Sequence, residues 1–249
     1  DNGTGILNMN GSSSLTNSGG NFEIAETASG NGTLNMNTTG GITLGSGNFI
    51  LGQSANSIAA LNLTAGTIDL SGAPDNGHLN INGGDATVAM TGGTIIINDD
   101  FNLTNNIDGS TRWTQTGGEV LVDDTLFYRA NGDDQIDLGG DAVLKLGQDP
   151  AANGALDMDD TSSAGLGGNV LTLRGSAVTL ELIDGAAGNL LADGDSTLNW
   201  EFDDIGVSAI KVGGTVTLNG AFANFTHVGT TPPSTGTFVL IDNQGTGAV

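Results

Sequence analysis

The amino-acid sequence predicts an all-β protein: a single-stranded parallel β-helix, or β-solenoid, of about nine three-strand rungs over residues 1–220, followed by a C-terminal capping segment over 221–249. Three observations lead there. Short apolar and polar alternations recur along the chain, small glycine turns separate them at a nearly constant interval, and the apolar residues keep the same phase after those glycines.

The interval is read from the turn glycines Gly20, Gly41, Gly66, Gly93, Gly118, Gly140, Gly168, Gly194 and Gly214, which lie about 24 residues apart on average. Two and four residues after most of them the side chain is apolar, as in Phe22 and Ile24, Ile68 and Leu70, Ile95 and Ile97, Val120 and Val122, Ala142 and Leu144, and Val216 and Leu218. A period of two is the signature of a strand. The stretch GTLNMNTTGGITLG, Gly32 to Gly45, nearly rewrites GILNMN at Gly5, as successive rungs of one face would.

Each interval has room for three strands. They read TIDL, HLNI, TVAM, then TIII, FNLT, RWTQ, then EVLV, TLFY, QIDL. Stacked coils repeat at about 4.8 Å, so nine of them make a rod roughly 40 Å long. An antiparallel sandwich also has short strands and glycine turns, but it has no need of a constant phase. After Gly220 the pattern changes and the Pro232-Pro233 pair appears, which reads as a terminal cap. The first rung begins almost at residue 1 and is expected to present an open strand edge.

Glycine is 42 of 249 residues, yet apolar residues are regularly placed, so the excess is turn chemistry and not the signature of a disordered chain. Five cations against 28 acids give a formal charge of -23, which makes nucleic acid and anionic membrane poor partners and cations good ones. All five cations (Arg112, Arg129, Lys145, Arg174, Lys211) and 22 of the 28 acids follow Asn98. With no cysteine, a disulfide framework and a thiolate metal site are excluded. No apolar run is long enough for a membrane span, so membrane insertion is not expected.

The blocks GTLNMNTTGGITLGSGNFILG and TAGTIDLSG, with GGTVTLNGAF leading to TGTFVLID, resemble exported bacterial repeat proteins of the autotransporter-passenger and PEP-CTERM-associated type. The resemblance covers most of the chain. It implies a β-solenoid secreted by a Gram-negative-type bacterium, its signal peptide already removed, and an extracellular or cell-surface location. Neither a terminal membrane barrel nor a sorting tail accompanies these blocks.

Asp99-Asp100 and Asp123-Asp124 are 24 residues apart, a spacing that sets one pair almost directly above the other. Carboxylates about 4.8 Å apart repel by roughly 1 kcal/mol in water and about 3 to 4 kcal/mol at an effective dielectric of 20. Calcium, which gathers carboxylate, carbonyl and water oxygens, is the candidate cofactor. A solvated acidic ladder and a catalytic acid pair are the alternatives. Asp133, Asp134 and Asp137 lie in NGDDQIDLGGD, which partly matches a calcium-binding solenoid repeat through Gly132, Asp134 and Ile136, and they join the candidate metal set. Trp113 and Tyr128 fall in neighbouring rungs, where they form either a small platform for a glycan or part of the core.

Catalysis is not expected. A hydrolase or lyase on this fold needs paired acids with histidine or basic clamps, whereas Arg112, Arg129 and Arg174 are scattered and His78 and His227 have no evident nucleophile or metal partner. The expected role is a non-enzymatic extracellular structural protein, a surface or matrix solenoid that self-assembles end to end into filaments. An adhesin or glycan-binding stalk and a polysaccharide-active enzyme are the competing readings, with polysaccharide as the partner of either.

Overall fold

A strand of alternating apolar and polar residues buries one face only when another layer covers it, and in this chain the cover is the next copy of the same strand. The computed structural model describes residues 3–72, 77–82, 84–103, 109–128, 133–149, 154–158, 168–183, 188–231 and 237–245. The first coil is β1 (Thr4–Gly11), β2 (Leu15–Asn17) and β3 (Phe22–Ile24). In the next four coils the first two faces run together as one long bent strand: β4 (Asn31–Leu44) with β5 (Phe49–Leu51), β6 (Ile58–Asp69) with β7 (Leu79–Ile81), β8 (Asp85–Ile97) with β9 (Phe101–Leu103), and β10 (Ser110–Val122) with β11 (Leu126–Tyr128).

Three separate strands return in β12 (Gln135–Leu138), β13 (Val143–Leu146) and β14 (Leu156–Asp157), then in β15 (Val170–Arg174), β16 (Thr179–Leu182) and β17 (Leu190–Ala192). The eighth coil is β18 (Thr197–Phe202), β19 (Ile210–Val212) and β20 (Val216–Leu218); β21 (Phe222–His227) and β22 (Ile241–Asn243) add two strands of a ninth. Every pairing joins like faces of successive coils in parallel, β1 to β4 to β6 on the first face and β3 to β5 to β7 on the third. The chain is therefore a parallel β-solenoid, and the described residues form eight coils of three faces each and part of a ninth, with no helix among them. Residues 222–227 and 241–243, within the expected capping segment, extend the first and second faces.

Register is maintained along whole columns. Leu15, Ile42, Ile68, Ile95, Val120, Leu144, Leu180, Ile210 and Ile241 stand one above another on the second face. With the matching columns of the other faces they make one continuous apolar core. Outside, Lys145 pairs with Glu119 at 3.3 Å and Lys211 with Glu181, so these two cations bridge coils.

The glycine phase is less uniform than the sequence suggests. Gly41, Gly66, Gly93 and Gly118 all stand at the entry to the second face, but Gly20 and Gly214 precede third-face strands, and Gly168 and Gly194 precede first-face strands. Any corner of the coil needs a turn, so the same glycine chemistry recurs at all three. At the second-face corner Gly66, Gly93 and Gly118 have φ of 102°, 82° and 78° and stack closely enough that a Cβ on Gly93 would meet the Gly66 carbonyl oxygen at 2.7 Å. Side-chain-free residues are required there for both conformation and space.

Candidate functional site

The corner leading into the third face carries a ladder of side-chain acceptors. The carboxamide oxygen of Asn21 accepts the backbone N–H of Asn48 at 3.0 Å, and that of Asn48 accepts the N–H of His78 at 3.3 Å. Nδ1 of His78 in turn accepts the N–H of Asp100 at 3.2 Å, and the Asp100 carboxylate accepts the N–H of Thr125. Each of these residues immediately precedes a third-face strand. The position asks for one acceptor per coil, which explains why Asn, His and Asp share it.

Because Nδ1 is an acceptor, the ring proton of neutral His78 sits on Nε2, 3.4 Å from Oδ2 of Asp99. Asp100 Oδ2 lies 3.7 Å from Nδ1. His78, Asp99 and Asp100 each bring a ligand atom within 4.8 Å of the others, the one group of three such residues among the described residues. Asp124 lies on the next coil, its N–H donating to the Asp99 carbonyl at 3.3 Å.

The coil here is 25 residues long, since Phe101 pairs with Leu126. That corrects the expected stacking of the two aspartate pairs by one residue. Asp99 stands against Asp124, Asp100 against Thr125, and Asp123 receives Asp149 on its other side, where the N–H of Asp149 meets the Asp123 carbonyl at 3.4 Å. The acidic column is continuous all the same. Burial, then the charges of Asp99 and Asp124, raise the pKa of Asp100, while burial and Asp149 raise that of Asp123.

Asp133, Asp134 and Asp137 are not brought into one ligand set. Asp134 is fully buried and its Oδ1 accepts the N–H of Thr111 at 2.9 Å on the preceding coil, whereas Oδ1 of Asp133 accepts the N–H of Gly168 at 3.3 Å on the following one. Asp137 takes a hydrogen bond from Gln135 at 2.9 Å and an ion pair from Arg174 at 3.3 Å, and Arg174 also grips Glu201. These acids bind coils to one another. Gly132 and Arg129 lie outside the described residues.

Trp113 and Tyr128 are core residues, the second of the two readings open to them, and offer no glycan platform. Trp113 is 1% exposed with its ring centroid 4.9 Å from that of Phe101, and Tyr128 is 2% exposed. Trp113 stands in the inward column of Leu34, Leu61 and Val88, so the parity of its strand points it inside. The Tyr128 hydroxyl donates to the Val170 carbonyl at 3.3 Å; burial first, then Asp134 and Asp137, push its pKa well up.

Both histidines acquire partners that sequence reading does not assign. Besides His78, His227 meets Asp204 at 3.1 Å. An alignment of HLNI with DFNL would have put His78 and Asp100 in one column, since each opens a third-face strand. Fold and site together define a parallel β-solenoid with an acidic corner capped by one histidine. Comparison with known proteins finds no family model, curated protein or solved structure that matches the chain.

Proposed function

We propose that this chain is a non-enzymatic structural protein, exported to the cell surface or an extracellular matrix, whose rods join end to end into fibres. One observation carries the reading: like faces pair in parallel from one described coil to the next without a break, a contact that a further coil of the same kind extends. Leu7 in the first coil is 40% exposed, and in the ninth coil Phe222 and Phe225 are 61% and 54% exposed. An open trough of about 420 Å³ lies at the first coil, bordered by Leu7, Phe22, Ile24 and Leu34. A contact between unlike ends does not close on itself and so propagates as a filament. The resemblance to exported repeat proteins supports the location.

The same reading gives the acidic corner a divalent cation, calcium, with oxygens from Asp99, Asp100 and Asp124 as donors; Asp123, which faces Asp149, stands outside this set. Its support is the crowding of the three carboxylates, which an ion of opposite charge relieves. Electron microscopy and light scattering at neutral pH with calcium test the structural role. Filaments whose length grows with protein concentration are expected. A monomer at every concentration overturns it.

A further inference from the structure

One outward column of the first face contains asparagine only at its two ends. Reading upward, Asn8, Asn35 and Asn62 fill the first three levels and Asn199 and Asn224 the last two, with Ala89, Thr114, Asp137 and Thr172 between them. The amides are hydrogen-bonded in one direction. Asn35 donates through Nδ2 to Oδ1 of Asn8 at 2.7 Å, Asn62 to Asn35 at 2.8 Å, and Asn224 to Asn199 at 3.0 Å. Every donor points toward the first coil. Among the described residues no strand pairs below the Nδ2 group of Asn8 and none above Oδ1 of Asn224.

We propose that a second copy of this chain stacks its first coil in parallel on the ninth coil of the first, in a single register that sets Asn8 over Asn224. The asparagine donor at one end meets the asparagine acceptor at the other, and two short ladders become one of five residues. The inference rests on the end-to-end reading above and specifies its contact.

The same register matches the apolar columns. Leu7 falls over Ala223 and Met9 over Phe225, because these pairs already close the two ends of the inward columns on the first face. Leu15 falls over Ile241 on the second face. A slip of one residue would turn Leu7 and Met9 outward and put Asn8 into the core, so the register is strongly selected. Charge does not oppose the contact: residues 4–17 carry none, and the facing strands of the ninth coil carry only His227 and Asp242.

The absence of native cysteine makes the test direct. Asn8→Cys and Asn224→Cys are made in separate chains, mixed as full-length proteins and oxidised mildly. Coils stacked at about 4.8 Å bring the two Cα atoms within the range a disulfide accepts, about 4.4 to 6.8 Å. A cross-linked dimer is expected from this mixture on a non-reducing gel, and none from either chain alone or from Asn10→Cys with Asn224→Cys. A second arm avoids cysteine: Asn224→Asp with Asn8→Asp should raise the critical concentration for light scattering about tenfold, and Asn224→Asp with Asn8→Lys should restore it. Filaments that form without the expected cross-link and ignore the charge changes overturn the register and leave the structural role standing. Absence of any assembly in the unaltered protein overturns both.

Discussion

The backbone N–H of Asp100 donates to Nδ1 of His78 at 3.2 Å, from one coil of the solenoid to the next. His78 here does what Asn21 and Asn48 do lower in the same column: it supplies an acceptor to the coil above. Its other nitrogen turns to Asp99, so one ring both continues the backbone ladder and faces the acidic column. Asp100 is the next acceptor, and its charge is what sets it apart from the asparagines.

That difference predicts a pH effect. Burial, Asp99 and Asp124 raise the folded-state pKa of Asp100 above its usual value, and burial with Asp149 does the same for Asp123, so the folded state holds protons more tightly than the unfolded chain. The stability linked to these two groups is present at the acid end and is lost as pH rises through their raised values. In EDTA, the melting temperature should climb as pH falls from 7 toward the upper carboxylate range. It should turn down once protons reach Asp203 and Asp204, whose pKa values the N–H groups of Gly206 and Thr231 hold low.

Asp100→Asn keeps the acceptor and removes the charge. Under the same conditions at pH 7 it should stabilise the fold by up to about 1 kcal/mol, the scale of partly exposed charge pairs, and flatten the rise on the acid side. A chemical-denaturation midpoint that stays put or moves down refutes this account of the corner.

Calcium should act in the opposite sense. An ion bound only to the folded state stabilises by about 2.7 kcal/mol at a hundred times its dissociation constant. The melting temperature in millimolar calcium should therefore exceed that in EDTA, and Asp100→Asn combined with Asp124→Asn should remove the difference. Identical melting curves with and without the ion would mean a solvated acidic column.

Gly93→Ala should cost about 1 to 3 kcal/mol, the scale of a residue forced into a disfavoured backbone region, since it adds a Cβ at φ 82° against the Gly66 carbonyl. Gly5→Ala, where a Cβ meets nothing within 4 Å, is the control and should be nearly silent. Urea midpoints of the two variants compare them directly.

Trp113→Ala should destabilise by about 3 to 5 kcal/mol, as expected for an aromatic side chain removed from a packed interior. A loss under 1 kcal/mol in calorimetry would contradict its place in the core.

Much of the fold was legible from Gly41, Gly66, Gly93 and Gly118 and from alternations such as GTIDL and GGTIII, because burial with period two and left-handed corner turns are local requirements written into each coil. TIDL, HLNI and TVAM occupy successive faces as the spacing predicts. Legibility failed where a single-residue choice depends on neighbours far along the chain. Coil length is set by loops as well as strands, and one extra residue moves Asp99 from Asp123 to Asp124. Strand parity decides whether Trp113 faces a ligand or the core, and a strand of mixed Thr, Arg and Gln leaves that parity open until Val88 is paired beside it.

By itself, then, the sequence determined a stack of parallel coils with a lengthwise core and an acidic second half, since these follow from periodicity and charge alone. Only the tertiary structure decided which side chains meet across a coil: His78 with Asp99 and Asp100, Asp134 with Thr111, and Asn8 with Asn35. The reason is physical. Hydrogen bonds act over about 3 Å, and partners more than 20 residues apart in sequence reach that distance only after every intervening loop has fixed its length.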